Sequence, residues 1–130
     1  MTFPRKRLTL IWMTDTGSEL IDWEQLDMMA DGYTPDFIEI YRDFIDQTPV
    51  LFTALEQHLL EGNVNAARDA AHKVKGSSAN FGFVGVSTPM SRLELQAKET
   101  GSLDGAPDHL LEARENFEQS KTEVHEKRGI

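Results

Sequence analysis

An all-α fold, an antiparallel up-down four-helix bundle with a short additional N-terminal helix, is what this sequence predicts. Three observations carry that prediction. From Asp22 onward no alternating apolar and polar run is long enough for a strand; apolar residues recur instead at spacings of three and four; and the segments holding them are bounded by helix caps and glycine stops. Four amphipathic segments joined by short loops bury their stripes by packing antiparallel around one core. At 130 residues the chain supports one domain with a real core, not two.

Taken in order, Asp22 caps a short first helix, Trp23 to Met29, with Gln25 at the third position as in a capping box, and Asp31-Gly32 ends it. Thr34 caps a second helix and Pro35 takes its first position, where a missing amide costs nothing. This helix runs to about Leu60 with Phe37, Tyr41, Phe44, Leu51 and Leu55 on its inner face. Pro49 removes the bond to the Ile45 carbonyl, which predicts a kink rather than a stop. Gly62-Asn63 closes the second helix, and Asn63 caps a third, Val64 to Asn80, before a loop marked by Gly82 and Gly85. Ser87-Thr88-Pro89 reads as the opening of a fourth, to about Thr100, with Met90, Leu93 and Ala97 inward and Gly101 as its stop. Pro107 begins a fifth, with Leu110, Ala113, Phe117 and Val124 inward, which fades into a frayed charged tail near Lys127. The organisation expected is an N-terminal extension over 1–19, the bundle over 20–126 and a tail over 127–130. Residues 1–12 read as an over-extended gene start or a loose arm.

Thirteen basic residues against 22 acidic ones give a formal charge of −9, and Arg5, Lys6 and Arg7 hold three of the positive charges at the extreme N-terminus. So acidic a surface repels nucleic-acid backbones and anionic membranes, and any phosphate chemistry has to be local. The lack of cysteine excludes disulfides, thiolate catalysis and thiolate metal sites. Leu8 to Met13 after the basic triplet is too short for a signal peptide, and no stretch approaches the roughly 20 apolar residues of a membrane span. A cytoplasmic protein is the default expectation. Without a long heptad seam, a monomer is expected too.

The third helix carries the chemistry. At about 100° per residue, Ala67, Ala71, Val74, Ser78 and Phe81 share its core side, and His72 points roughly 135° from that stripe, into solvent. Arg68 and Gly76 lie one turn from His72, Asp69 and Lys75 three residues from it. A solvated histidine alone means little. Gly76 means more, because glycine within a helix costs about 1 kcal/mol relative to alanine and nothing local asks for it. Its absent side chain leaves room for a phosphoryl group or a partner's backbone beside the imidazole. Lys75 can reach an anion on the ring, and neutral imidazole is a nucleophile at pH 7, with Nε2 the less hindered nitrogen. Each piece has a bland alternative: Gly76 could admit a neighbouring helix, and Lys75 could merely solubilise a turn. Together, at the spacing His-x-x-Lys-Gly-Ser-Ser, they favour phosphoryl chemistry.

The run Ala71-His72-Lys73-Val74-Lys75-Gly76-Ser77-Ser78-Ala79-Asn80-Phe81-Gly82 resembles the motif of the histidine-containing phosphotransfer (HPt) domains of multistep two-component phosphorelays. Similarity extends to the start at Asp22, to Thr34-Pro35-Asp36-Phe37 and to Ser91-Arg92-Leu93-Glu94, about residues 20 to 125 in all. Val74 stands where the family more often has leucine, a change of similar volume and polarity. The resemblance implies that His72 takes a phosphoryl group from a receiver-domain phospho-aspartate and passes it to another receiver aspartate. It implies supporting roles for Lys75 and Gly76 there, and for Ser77, Ser78 and Gly82 in shaping the end of the helix. It further implies response-regulator receiver domains and a hybrid sensor histidine kinase as partners. The chain would need no cofactor of its own, Mg²⁺ coming with the receiver.

No P-loop or kinase signature is present, so ATP-dependent autophosphorylation is not expected. Docking is expected to use Met28, Met29 and Ile38 together with Arg68 and Lys73, although ordinary core is an equal reading for the apolar three. His58, His109 and His125 have no partners at a telling spacing. Three rival readings share parts of this pattern. A di-metal carboxylate bundle lacks a second pair to match Asp69-x-x-His72, so no metal is expected. A sensor-kinase dimerisation helix would show an acidic residue after the histidine, where Lys73 stands. A receiver-binding scaffold without transfer shares the bundle and is separated only by function.

Overall fold

The computed structural model describes residues 20–130, and the expectations for residues 1–19 fall outside that range. Five helices follow in order: α1 (Trp23–Ala30), α2 (Pro35–Leu60), α3 (Val64–Asn80), α4 (Val84–Thr100) and α5 (Ala106–Arg128). Three begin where the sequence supplies a cap. Asp22 accepts from the Gln25 amide, Thr34 Oγ1 from Phe37 and Asn63 Oδ1 from Ala66, each at 3.1 Å. Such a cap contributes about 1 kcal/mol. α3 packs between α2 and α4, α5 closes the bundle against α4 and α2, and α1 lies against α3. Four helices and one short one is the architecture predicted.

The core confirms most of the inward assignments and corrects one. In α2, Phe37, Tyr41, Phe44 and Leu55 are buried as expected, but Thr48 and Phe52 are buried too while Leu51 is only partly covered. At 3.6 residues per turn positions 51 and 52 both flank the stripe, and the larger Phe52 takes the core place, edge-on to Phe117 at 5.8 Å. The helix continues unbroken through Pro49. In α3 the buried positions are Ala67, Ala70, Ala71, Val74 and Ser78, nearly all small. Small residues on that face let α3 approach its neighbours closely.

The turn after α3 is wedged into the aromatic core. Phe81 stacks on Phe44 at 4.4 Å between centroids, and Phe83 meets Phe44 edge-on at 5.0 Å. Gly82 between them has φ +74, and a Cβ there would lie 2.5 Å from the Asp22 carbonyl oxygen. Only glycine fits both demands. The Gly82 carbonyl also accepts the Asp22 amide at 2.7 Å, which ties the start of α1 to this turn.

α4 begins at Val84, not at Ser87, so Gly85 lies inside the helix and Pro89 within its second turn. Proline at 89 cannot donate to the Gly85 carbonyl. Asn116 of α5 does so instead, its Nδ2 donating to that oxygen at 2.8 Å, while the Gly85 amide donates to Leu20 at 2.9 Å. Tertiary partners thus satisfy backbone groups at the start of α4, where no side chain caps the helix. α5 likewise starts one residue early, with Pro107 at its second position.

The frayed tail is corrected as well. α5 stays helical to Arg128, whose guanidinium donates to Asp27 of α1 through Nη2 at 2.7 Å and Nε at 2.9 Å and lies 4.7 Å from the Trp23 ring centroid. Tyr33 donates its hydroxyl to the same carboxylate. The Arg128 bond and then the Tyr33 bond hold the Asp27 carboxyl below its ordinary pKa. A depressed carboxyl stabilises the fold above the unfolded pKa and loses that contribution as pH falls through the folded value. Removing the guanidinium by Arg128→Ala therefore lowers stability by about 1 kcal/mol, from a half-exposed ion pair and a cation–π contact. Urea unfolding at neutral pH will show it, and the gap between variant and wild type will shrink as Asp27 becomes protonated.

Candidate functional site

The site is built on the facing sides of α3 and α4. His72 projects from α3 with 64 % of its side chain exposed, and its Nδ1 lies 2.7 Å from Glu94 Oε2 on α4. Lys75, three residues on, places Nζ 2.7 Å from the other oxygen, Glu94 Oε1. Glu94 itself is mostly covered, with 18 % of its side chain exposed. One carboxylate therefore holds both the histidine and the lysine.

This geometry decides the imidazole's proton. An ionised carboxylate only accepts, so Nδ1 must be the donor, and in the neutral ring the lone pair then belongs to Nε2. Nε2 is the nitrogen remote from Glu94. Burial works against the ionised form of Glu94, but the hydrogen bonds from Lys75 and His72 outweigh it, and the pKa is held below the ordinary glutamate value. Because Lys75 occupies the second oxygen, the carboxylate is braced from both sides and the ring is oriented with it.

Gly76 resolves the choice between internal packing and external access. A Cβ added there meets nothing within 4 Å, and its backbone is not among the positive-φ residues. Neither a neighbouring helix nor the local backbone needs glycine at this position. The space it leaves is open to whatever approaches His72 from outside.

The remaining predicted residues fall in different places. Lys73 is exposed beside His72, and Arg68 is half-buried with its Nε 3.8 Å from Asp69. Of the apolar candidates only Met28 is largely exposed, at 67 %, whereas Met29 and Ile38 are partly buried against the core. Ser77 bonds back to the Lys73 and Val74 carbonyls at 3.2 and 3.3 Å, and Ser78 is fully buried, so both serve the end of α3. No group of three metal-binding side chains occurs among the described residues. Nor is any helix among them long and apolar enough to cross a membrane.

Glu94 was not singled out from the sequence, though it holds the site together. A signal existed: His72 and Glu94 stand equally far from Phe83, about three helical turns along each arm. In a helical hairpin, residues equidistant from the turn face each other. Charge distribution points to the same helix, for α3 carries Arg68, Lys73 and Lys75 against Asp69 alone. No other described helix has a basic excess.

The model of the Hpt domain family matches residues 39–123, which include all of α3 and α4. The chain belongs to the Hpt domain family. An Hpt domain is a phosphocarrier module rather than a kinase, and it works with receiver domains and kinases in two-component signalling. No curated protein and no solved structure matches this Hpt chain. In it, Glu94→Ala will free the ring to sample both tautomers, visible in the long-range ¹⁵N–¹H correlations of His72. Labelling by phosphoramidate will slow roughly tenfold, the equivalent of one charge-assisted hydrogen bond of about 1.5 kcal/mol.

Proposed function

We propose that this protein is a phosphorelay intermediate in which His72 accepts a phosphoryl group from one receiver's phospho-aspartate and delivers it to the aspartate of another. The Nε2 lone pair attacks phosphorus in line, the N–P bond forms as the aspartyl O–P bond breaks, and the donor leaves with a free carboxylate. Positive charge develops on the ring as this happens. Glu94, already bonded to Nδ1–H, lies where that charge appears and needs no rearrangement to stabilise it. The return step is the same reaction with the acceptor's carboxylate as nucleophile, and throughout it the proton stays on Nδ1, hydrogen-bonded to Glu94.

Lys75 has the second role. An arriving phosphoryl group brings close to two negative charges, and Nζ, one rotamer change from Glu94 Oε1, can turn toward its oxygens. Phosphoryl transfer is chiefly positioning and charge stabilisation, with Mg²⁺ and an acidic pocket supplied by the receiver. Arg68 and Lys73 give α3 a positive field that steers such a partner to His72. The carrier acts as a monomer in the cytoplasm, between a hybrid sensor histidine kinase and response-regulator receivers.

The observation that most supports this reading is the open space over Gly76 beside an imidazole whose Nδ1 is held by Glu94, which leaves Nε2 accessible as the nucleophile; transfer itself separates the carrier from a receiver-binding scaffold. Receivers charged with acetyl phosphate are expected to place acid-labile phosphate on the wild type and none on His72→Gln. Binding without labelling across a broad receiver panel would establish the scaffold instead. Gly76→Ala should raise stability by about 1 kcal/mol through helix propensity while slowing transfer from receivers. Urea unfolding and the transfer assay on the same variant check the two opposite effects.

A further inference from the structure

Away from His72, the seam between α2 and α5 opens into a cavity of about 430 Å³. That volume suits a small organic ligand. Ile45 of α2 and Ile130, just past the end of α5, give the cavity apolar lining, and Tyr41 of α2 lines it as well. Tyr41 is only 3 % exposed, its ring held among Phe37, Phe44, Phe81 and Phe83 at centroid distances of 5.9 to 6.3 Å.

The hydroxyl of this ring makes no hydrogen bond among the described residues. It is not sealed in either, since the enclosed side-chain atoms without partners belong to His58, Ser78, Ser120 and Glu123. What exposure Tyr41 keeps is therefore at its oxygen, and the cavity is where that oxygen finds a partner. Burial raises the phenol's pKa, so the group stays neutral and able to donate.

The other polar groups in the lining add to the donors. Neither the Arg42 guanidinium nor the His125 ring has a partner among the described residues. Lys121 and Thr122 are already engaged with Glu118, the ammonium with its carboxylate and the hydroxyl with its carbonyl, each at 3.1 Å. Asp46 is the one carboxylate among the described lining residues, and it does not pair with Arg42 one turn away. A phenol, a guanidinium and an imidazole N–H call for an anionic acceptor, while Asp46 repels a second negative charge. Ile45 and Ile130 call for an apolar body.

We infer that the α2–α5 cavity binds a small apolar molecule carrying one carboxylate, which accepts from the Tyr41 hydroxyl and the Arg42 guanidinium. The site shares no residue with the His72–Glu94 pair, and the inference is independent of the carrier reading.

The test uses 4-phenylbutyrate, 4-phenylbutanamide and 4-phenylbutylamine, which share a phenyl ring and an alkyl chain and differ in the head group. Each is titrated into ¹⁵N-labelled protein and followed by amide chemical shifts, a measurement that involves no phosphate. Expected is saturable binding of 4-phenylbutyrate with a Kd of about 1 mM or lower, and shifts centred on Tyr41 to Asp46 and on Lys121 to His125. Binding is expected to weaken about tenfold with the amide, with the amine and in Arg42→Ala, the loss of a charge-assisted hydrogen bond. Tyr41→Phe, which removes only the oxygen and keeps the ring in the aromatic core, is expected to weaken it about fivefold. No saturation by 4-phenylbutyrate at about 10 mM, or shifts centred elsewhere, overturns the site. Binding that the amide or the amine matches, or that either variant leaves within about twofold of wild type, also overturns it. The carboxylate and its donors would then play no part, leaving apolar adsorption and a water on the hydroxyl.

Discussion

Everything at the site depends on the α3–α4 turn. Phe81 and Phe83 are held in the aromatic core around Phe44, and Gly82 between them passes so close to the Asp22 carbonyl that no side chain fits. That lock sets which residues of the two helices face each other. A slip of one residue would rotate the α4 contact face by about 100°, and Glu94 would no longer meet His72. The small residues along the α3 core face complete the arrangement by letting the helices approach. Aromatic packing in the interior thus determines a hydrogen bond on the surface.

The electrostatics of the site are set by one mostly covered carboxylate. Desolvation alone would favour a neutral Glu94, and it stays ionised because Lys75 and His72 both bond to it. The interaction works in both directions: the charge that the two partners stabilise is also what holds the imidazole in one tautomer. Within an acidic molecule, α3 is the one described helix with a net positive charge, and the site lies on it.

Most of the architecture was legible in the sequence because its punctuation is chemical. Asp22, Thr34 and Asn63 cap in the structure as their side chains suggested, and Gly101 ends α4 with φ +66. The start of α4 was not legible, since Ser87-Thr88-Pro89 imitates a cap while the real partners, Leu20 and Asn116, are distant along the chain. Arg128 was misread for a similar reason: a charged residue near a chain end reads as solvated until Asp27 and Trp23 are known to face it. At the site, His72, Lys75 and Gly76 are close in sequence and could be found there. Glu94 belongs to the next helix, and its role follows only from the register of the hairpin.

The candidate site of this molecule is concentrated in one short hairpin. His72, Lys75, Gly76 and Glu94 lie on two consecutive helices, while the outer faces of α2 and α5 need only remain polar over an apolar stripe. Mutational drift is therefore unevenly constrained. Many substitutions on those outer faces are nearly neutral, as surface changes away from special features usually are. The parts that must be kept together are thus few, and a bundle of this size can vary over most of its surface while the pairing of two adjacent helices stays fixed.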